Sequence, residues 1–544
     1  MTTGNVILAR ALRQQGVKDV FFIMGGPMID CENACVDEGI RMTDVRHEQA
    51  AVMMANAYSR LGAGPVACMA ASGPGATNLV TGVAHAYVDG APLLAIGGSS
   101  PVSQYGLGAF QELDQLSVFK PITVWAERVY DPRRIPELVD TAFHHAHAGR
   151  PGPVYLDMPG DVLYRDVPEE EVRWIEPRSH ELRTGAHPDD VERALTTLAE
   201  SDRPIVVSGS GILWSQADGE LRSFVEGAGI PFYTTPQGRG VIPEDHRLCF
   251  LNARSTAFAE ADCVMVVGTR LNYVIDFARP PRFRQDARLV QLDIEPSEIG
   301  KTRRVDAGLV GDARTVLAQL LHAGEGRMRP DRYAGWVGRL REVNDQKQAD
   351  AERRLSTSQV PIHPLRLCKE VRDVMDRDAV LSVDGQEILN YGRQAIPVYG
   401  SGHSLNSGPF GTMGVGLPFG LGAKVAKPDT QVIVVHGDGS FGLNAMEVDT
   451  AVRHNLAVLC VISNNGGWTA ADRTKAGRDL GFTRYDLMAE ALGCYGEHVE
   501  EPDQLRPALE RAIKATEEGR PAVVNVITDP AARAQTARFA DYST

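Results

Sequence analysis

Apolar runs of four to seven residues alternate with segments of helical period along most of this chain, and that alternation restricts what it can fold into. Continuous apolar strands separated by helices belong to parallel sheets built from β-α-β units. Three blocks separate. The first spans about residues 1–165, where an amphipathic stretch over 1–20 precedes strands near 21, 41–45, 66–70, 93–97 and 154–156. The second, about 186–325, holds strands at 204–207, 263–267 and 289–292; the third, about 359–530, holds 379–383, 431–435, 457–462 and 522–527. Charged connectors at 168–188 and 325–358 join them, and a polar tail, 531–544, follows. The expected fold class is α/β, with three doubly wound parallel-sheet domains.

At 544 residues each block is long enough to bury its own core. The charge balance, 56 basic against 70 acidic residues or −14, argues against gripping a nucleic-acid backbone, which needs clustered cations. Any anionic ligand must be held by local Arg groups, helix N-termini or a metal. No stretch of about 18 uncharged apolar residues occurs, and residues 1–20 lack the charged region of a signal peptide, so a soluble, cytoplasmic protein without a membrane partner is expected. Of the eight cysteines only Cys31 and Cys35 are close, with no His-rich segment to complete a zinc site, and several others lie inside apolar strands. They read as buried or incidental thiols.

Glycine makes up 54 residues, about a tenth of the chain against the usual ~7%. Its clusters mark where backbone must turn tightly or approach a ligand. In the third block the strand 431–435 runs into Gly437-Asp438-Gly439-Ser440, then a helical segment at 445–454, then a strand ending at Asn464-Asn465. Such a unit brings Asp438 and Asn465 to neighbouring C-terminal strand ends, where α/β proteins bind ligands. A carboxylate and an amide oxygen side by side suit Mg²⁺, which bridges a diphosphate to an acidic protein. The alternative is two unrelated turns.

The segment from Gly437-Asp438-Gly439 to Asn464-Asn465 resembles the signature of thiamine diphosphate (ThDP) enzymes. The resemblance implies Asp438, Asn465 and the Gly467 carbonyl as Mg²⁺ ligands, with Gln386, Gly439, Ser440 and Trp468 as further cofactor contacts. Gly411-Thr412-Met413-Gly414 is similar to the segment holding the aminopyrimidine, which implies the Gly411 carbonyl as acceptor for its 4'-amino group and Met413 as the wedge that bends the cofactor. Arg46-His47-Glu48-Gln49-Ala50-Ala51 is similar to the motif whose Glu contacts pyrimidine N1'. There Glu48, sharing a proton with N1', favours the imino tautomer that deprotonates the thiazolium; an apolar pocket would raise its pKa toward working pH. The first block thus becomes a pyrimidine-binding domain and the third a diphosphate- and Mg²⁺-binding domain. In the family the Glu and the diphosphate site come from different subunits, which implies a homodimer as the minimal unit and a pair of dimers as the assembly. Ser72-Gly73-Pro74-Gly75-Ala76-Thr77-Asn78 also matches, as a turn at the active-site interface, and reads equally as an ordinary strand-to-helix turn.

Gly108-Ala109-Phe110-Gln111-Glu112-Leu113-Asp114-Gln115 resembles the oxalyl-CoA decarboxylase and 2-hydroxyacyl-CoA lyase branch, and Phe110-Gln111-Glu112 is similar to the lyases, whereas the decarboxylases carry Tyr and Glu at the first two positions. Phe110, Gln111 and Glu112 are therefore expected to shape the pocket and position a substrate hydroxyl. In the second block the resemblance implies ADP held by Arg150, Gly211, Arg270, Asp293, Ile294 and Asp312, with an empty site or FAD left open. The expected activity is a reversible lyase that splits a 2-hydroxyacyl-CoA into formyl-CoA and an aldehyde or ketone. Oxalyl-CoA decarboxylase, an acetolactate synthase-like enzyme and a non-catalytic ThDP- or nucleotide-binding protein are the alternatives. The tail resembles the lyase ending and is expected to act as a lid. Gly385-Gln386-Glu387 departs from the Gly-Ala-Asn-Thr of the branch, and a glutamate beside a diphosphate is electrostatically awkward.

Overall fold

A computed structural model describes residues 1–178, 182–468 and 473–534. Three parallel sheets dominate it. The first is built from β1 (Asp19–Phe22), β2 (Arg41–Asp44), β3 (Ala67–Ala70), β4 (Leu93–Ser99), β5 (Trp125–Arg128) and β6 (Pro153–Pro159), in the order β2-β1-β3-β4-β6-β5. Its helices include α1 (Glu48–Arg60) and α2 (Val80–Asp89). The second sheet contains β7 (Pro204–Ser208), β8 (Phe232–Thr234), β9 (Cys263–Val267), β10 (Arg288–Asp293) and β11 (Ala307–Val310), ordered β8-β7-β9-β10-β11.

The charged connector at 325–358 is largely helical: α3 (Ala334–Leu355) spans 22 residues. Trp336, Leu340 and Val343 form a narrow buried stripe at spacings of four and three, which lies on the core of the second sheet. The middle unit therefore continues past residue 325.

The third sheet holds β12 (Val380–Asp384), β13 (Ser404–Asn406), β14 (Val432–Gly437), β15 (Leu459–Asn464), β16 (Tyr495–Val499) and β17 (Ala522–Ile527), ordered β13-β12-β14-β15-β17-β16. This repeats the order of the first sheet. Its helices include α4 (Glu387–Ala395), α5 (Gly416–Ala426), α6 (Asp438–Leu443) and α7 (Glu447–Arg453). The central strands are apolar on both faces, as strands covered by helices on each side must be.

The first and third units share one continuous core, in which α1 lies against α5. The two helices meet closely because Gly422 has no side chain: a Cβ there would lie 2.3 Å from the Met54 carbonyl oxygen. The middle unit has a separate core. Seven of the eight cysteines are buried, and all eight are free thiols. Among the described residues no helix is long and apolar enough to cross a membrane.

Candidate functional site

At the C-terminal edge of the third sheet, β14 and β15 run side by side with Gly437 opposite Ser463. Asp438 opens α6, and Asn465 follows the end of β15. Asp438 is buried, and burial pushes its carboxyl up to about 6 against the opposing pull of the Gly439, Gly467 and Gly466 N–H groups. Its Oδ2 is sealed from solvent and has no hydrogen-bond partner among the described residues. A buried acceptor without a partner is costly, and a hard cation bonded to Oδ2 would both satisfy it and hold it ionised. The Asn-Asn pair divides its work. Asn464 is a clip: it donates to Asn525 Oδ1 (3.1 Å) and the Thr483 carbonyl (3.0 Å) and accepts the Gly466 N–H (3.1 Å). Among the described residues Asn465 Oδ1 accepts only the Gly467 N–H, at 3.2 Å, which leaves a lone pair for a metal. The donor set of one carboxylate, one amide oxygen and a carbonyl fits Mg²⁺.

Around this centre Gly439 is packed against the Trp468 ring, where a Cβ would come within 2.8 Å. The Ser440 hydroxyl is turned inward, with the carbonyls of Gly437 (3.0 Å) and Asp384 (3.1 Å) as acceptors for its single proton and His436 Nδ1 at 3.2 Å. Its backbone N–H, in the first turn of α6, is the group that suits an anion. Asp384 accepts the Gly416 N–H at 2.9 Å, tying the end of β12 to the start of α5; burial raises its carboxyl to about 6. Gln386 precedes α4 and lines a large cavity together with Gly411 and Met413. The awkward Glu387 has a different partner: its Oε2 accepts the Ala534 N–H at 2.7 Å. Ala532 and Ala534 are buried in the core of the third sheet, so the tail starts as packed structure. The rest of the expected lid, residues 535–544 of the tail 531–544, lies outside the described residues.

Glu48 is the first residue of α1, behind the N-cap His47. Its Oε2 accepts the Asn78 amide N–H at 2.9 Å, and its Oε1 is 3.5 Å from the point where a Gly75 Cβ would be. The turn from Ser72 to Asn78 thus forms one wall with Glu48. Gln111 joins that wall: it adopts φ +57°, accepts the Ser72 hydroxyl at 2.7 Å, and leaves no room for a side chain at Gly73. Buried Gln115 fixes the same turn by accepting the Gly73 N–H at 2.6 Å and donating to Asp157 at 3.0 Å. The other two expected pocket residues are placed differently. Phe110 is 86% exposed. Glu112 accepts the N–H groups of Gly106 (2.7 Å), Gly108 (3.1 Å) and Ala109 (2.9 Å), and these bonds, Ala109's foremost, hold its carboxyl below the usual range. It shapes its own loop.

The cavity of about 1450 Å³ runs from the C-terminal ends of the middle sheet to Gln386 and Met413. Arg150, Gly211, Arg270, Asp293, Ile294 and Asp312 all line it. Arg150 and Arg270 both donate to the Val88 carbonyl at the end of α2, at 3.1 and 2.7 Å. Asp293 is buried, which raises its pKa, and accepts the Glu295 N–H at 3.0 Å. Asp312 caps the helix Ala313–Ala323 through the Thr315 N–H (3.1 Å) and pairs with Arg183 (3.2 Å). Arg60, the last residue of α1, carries no local motif that marks it. It is 2% exposed, lines the cavity, lies 5.7 Å from the Trp214 ring centroid, and donates to the Gln237 carbonyl at 3.1 Å. Its Nε and Nη1 have no partner among the described residues. One helix therefore carries Glu48 at one end and a cavity cation at the other.

Models of thiamine pyrophosphate enzymes match this chain in three places: the N-terminal TPP binding domain over residues 1–118, the central domain over 191–320, and the C-terminal TPP binding domain over 389–526. A 2-hydroxyacyl-CoA lyase of Arabidopsis thaliana is 34% identical over 98% of this chain and 97% of its own length. The acetolactate synthase large subunit IlvG of Mycobacterium tuberculosis is 35% identical over 96% of this chain and 95% of its own. The oxalyl-CoA decarboxylase of Escherichia coli (strain K12) is 34% identical over 98% and 96%.

Proposed function

The chain belongs to the thiamine pyrophosphate enzyme family, and from that premise we propose that this ThDP-dependent carbon–carbon lyase is a 2-hydroxyacyl-CoA lyase. The bond between the thioester carbonyl carbon and the hydroxyl-bearing carbon breaks. The hydroxyl gives up its proton as it becomes the carbonyl of a released aldehyde or ketone, and a proton is added to the former thioester carbon, leaving formyl-CoA. The reverse carboligation uses the same groups.

The observation that carries the CoA class is the cavity. Its volume of about 1450 Å³, its buried Arg60 outside the nucleotide set, and its continuity with Gln386 and Met413 suit a large, phosphate-bearing thioester better than a small keto acid. Its middle-sheet end offers Arg150, Gly211, Arg270, Asp293, Ile294 and Asp312 to an adenine nucleotide, which we take to be ADP. Asp438 Oδ2, Asn465 Oδ1 and the Gly467 carbonyl would hold Mg²⁺. The Gly411 carbonyl and Met413 would fix the pyrimidine, with Gln386, Gly439, the Ser440 N–H and Trp468 around the diphosphate. When bound, ThDP supplies a carbon nucleophile able to accept the electron pair of the broken bond. Glu48 holds a proton toward the pyrimidine, and the Gln111 amide, anchored on Ser72, orients the substrate hydroxyl. Glu48 and Asp438 make their described hydrogen bonds within separate units. A homodimer in which one chain's Glu48 serves the other's cofactor, and a tetramer of two such dimers, complete the reading.

Oxalyl-CoA decarboxylase is the second reading, on the similar identity to that enzyme. The protein is loaded with ThDP and Mg²⁺ and offered a 2-hydroxyacyl-CoA or oxalyl-CoA. Formyl-CoA with an aldehyde or ketone supports the lyase. Formyl-CoA with carbon dioxide, and only from oxalyl-CoA, replaces it with the decarboxylase, and inactivity on both removes the CoA reading.

A further inference from the structure

The turn that carries Glu48 is held from outside its own unit. Glu447, the first residue of α7, is 1% exposed. Its Oε1 accepts the backbone N–H groups of Arg46 and His47, each at 3.1 Å. Its Oε2 accepts the Arg46 N–H at 3.2 Å and the Thr450 hydroxyl at 2.6 Å. Neighbouring contacts reinforce the hold. The Arg46 guanidinium meets Asp449 at 3.1 Å, His454 meets Asp44 at 2.8 Å, Arg453 pairs with Asp44, and the Gln49 amide donates to Asn444 at 2.9 Å. Asp44, Arg46, His47 and Gln49 are thus each tied to the segment 444–454, while the Glu48 carboxylate faces Asn78.

Geometry explains why Glu447 matters most in this set. The N–H groups of Arg46 and His47 lie just ahead of the first helical residue, where the backbone has no partner from α1 itself. A carboxylate that accepts both fixes the peptide planes on the N-terminal side of Glu48 and so the direction in which α1 starts. The other contacts are ion pairs and amide bonds nearer the surface, each worth less. Glu447 lies nine positions after Asp438, and the two open the successive helices α7 and α6, so the support for the turn grows from the same stretch of chain as the metal centre.

We propose that Glu447 is a positioning residue: by accepting the Arg46 and His47 N–H groups it sets the orientation from which Glu48 activates the cofactor. The inference rests on the reading of Glu48 as the activating group. A displacement of about 1 Å at such a group can cost about 100-fold in rate, so the clamp acts on the chemical step more than on binding.

Full-length wild type, Glu447→Ala, Glu447→Gln and Glu447→Asp are compared. Without cofactor, amide hydrogen exchange at Arg46 and His47 is expected to quicken about tenfold or more in Glu447→Ala, the equivalent of about 1.4 kcal/mol. Glu447→Gln, whose carbonyl can take both N–H groups while its amide donates to Thr450, is expected to restore protection; Glu447→Asp, one methylene short, is not. With ThDP and Mg²⁺, exchange of the cofactor's reactive carbon-bound hydrogen into D₂O should slow about 10- to 100-fold in Glu447→Ala and Glu447→Asp while ThDP affinity stays within about twofold. A merely structural role would instead lower affinity, melting temperature and cofactor exchange together, and that result overturns the proposal. So does unchanged amide protection in Glu447→Ala, or cofactor exchange at the wild-type rate once the amides are loosened. If Glu447→Ala does not fold, Glu447→Asp carries the same comparison. Unchanged cofactor exchange in Glu48→Ala would remove the reading of Glu48 itself, which the amide measurements do not depend on.

Discussion

Glu447 also makes a prediction about pH. Its carboxyl is raised from 4.5 to about 7, chiefly by burial, against the lowering pull of the Thr450 hydroxyl, the Arg46 and His47 N–H groups and the Arg453 guanidinium. Asp449 and Asp44 are the nearby acids, each already engaged by Arg453. Between pH 4.5 and 7 the folded chain keeps a proton at Glu447 that the unfolded chain has released. Stability attributable to this group is therefore full below 4.5 and falls as pH rises to about 7. The interval corresponds to about 3 kcal/mol at ~1.4 kcal/mol per pH unit. Glu447→Gln mimics the neutral acid at every pH and removes that slope. At ~2.1 cal/mol/K per residue, unfolding 544 residues together has an entropy of about 1.1 kcal/mol/K, so the variant should gain about 3 °C in melting temperature relative to wild type between pH 4.5 and 8.5. Melting of both apoproteins by circular dichroism across that range, at constant ionic strength, measures the difference. Other raised carboxyls, such as Glu32 and Asp384, titrate in both proteins and cancel. A melting difference that stays flat with pH would refute the assignment.

Asp438→Asn removes the charge a cation needs but keeps the shape. We expect the stabilisation given by ThDP with Mg²⁺ to vanish while the apoprotein melts higher above pH 6, since a buried carboxylate has been neutralised; a thermal-shift series checks both, and retained cofactor stabilisation refutes the metal role. Gly422→Ala forces a methyl against the Met54 carbonyl and should cost about 1–3 kcal/mol in urea unfolding, with wild-type stability counting against the helix contact. Truncation after Ala534 retains the buried Ala532 and Ala534, unlike a cut after Pro530, and so tests the lid without damaging the core. Its KM for acyl-CoA should rise with melting unchanged, and wild-type KM and kcat would remove the lid.

The three-sheet architecture was legible because central strands are apolar on both faces and stand out as continuous runs. What escaped the sequence has a common cause: β5, β8, β11, β13 and β16, the unforeseen strands of the large sheets, are all edge strands. An edge strand is covered on fewer sides and carries no such run; β5, Trp-Ala-Glu-Arg, is half-exposed throughout. The connector 325–358 read as a linker because its buried stripe is three residues wide in a charged helix. At the site, Asp438, Asn465 and Glu48 are recognisable from local motifs, and the strands that lead into Asp438 and Asn465 lie side by side. Glu447 and Arg60 are not recognisable, since each acts across units, on residues some 400 and 180 positions away in sequence. The amides that Glu112 accepts, those of its own loop, leave no mark in residue type.

The shared core of the first and third units makes the middle unit, topologically, an excursion between two halves of one body. Were residues 166–358 unfolded, joining those halves would mean closing a flexible loop of nearly 200 residues, at an entropic cost of about 5 kcal/mol. Folded, the same stretch becomes a rigid spacer between two short connectors, and most of that cost is removed. Unfolding of the middle unit alone would therefore loosen the junction of α1 and α5, and α1 begins with Glu48.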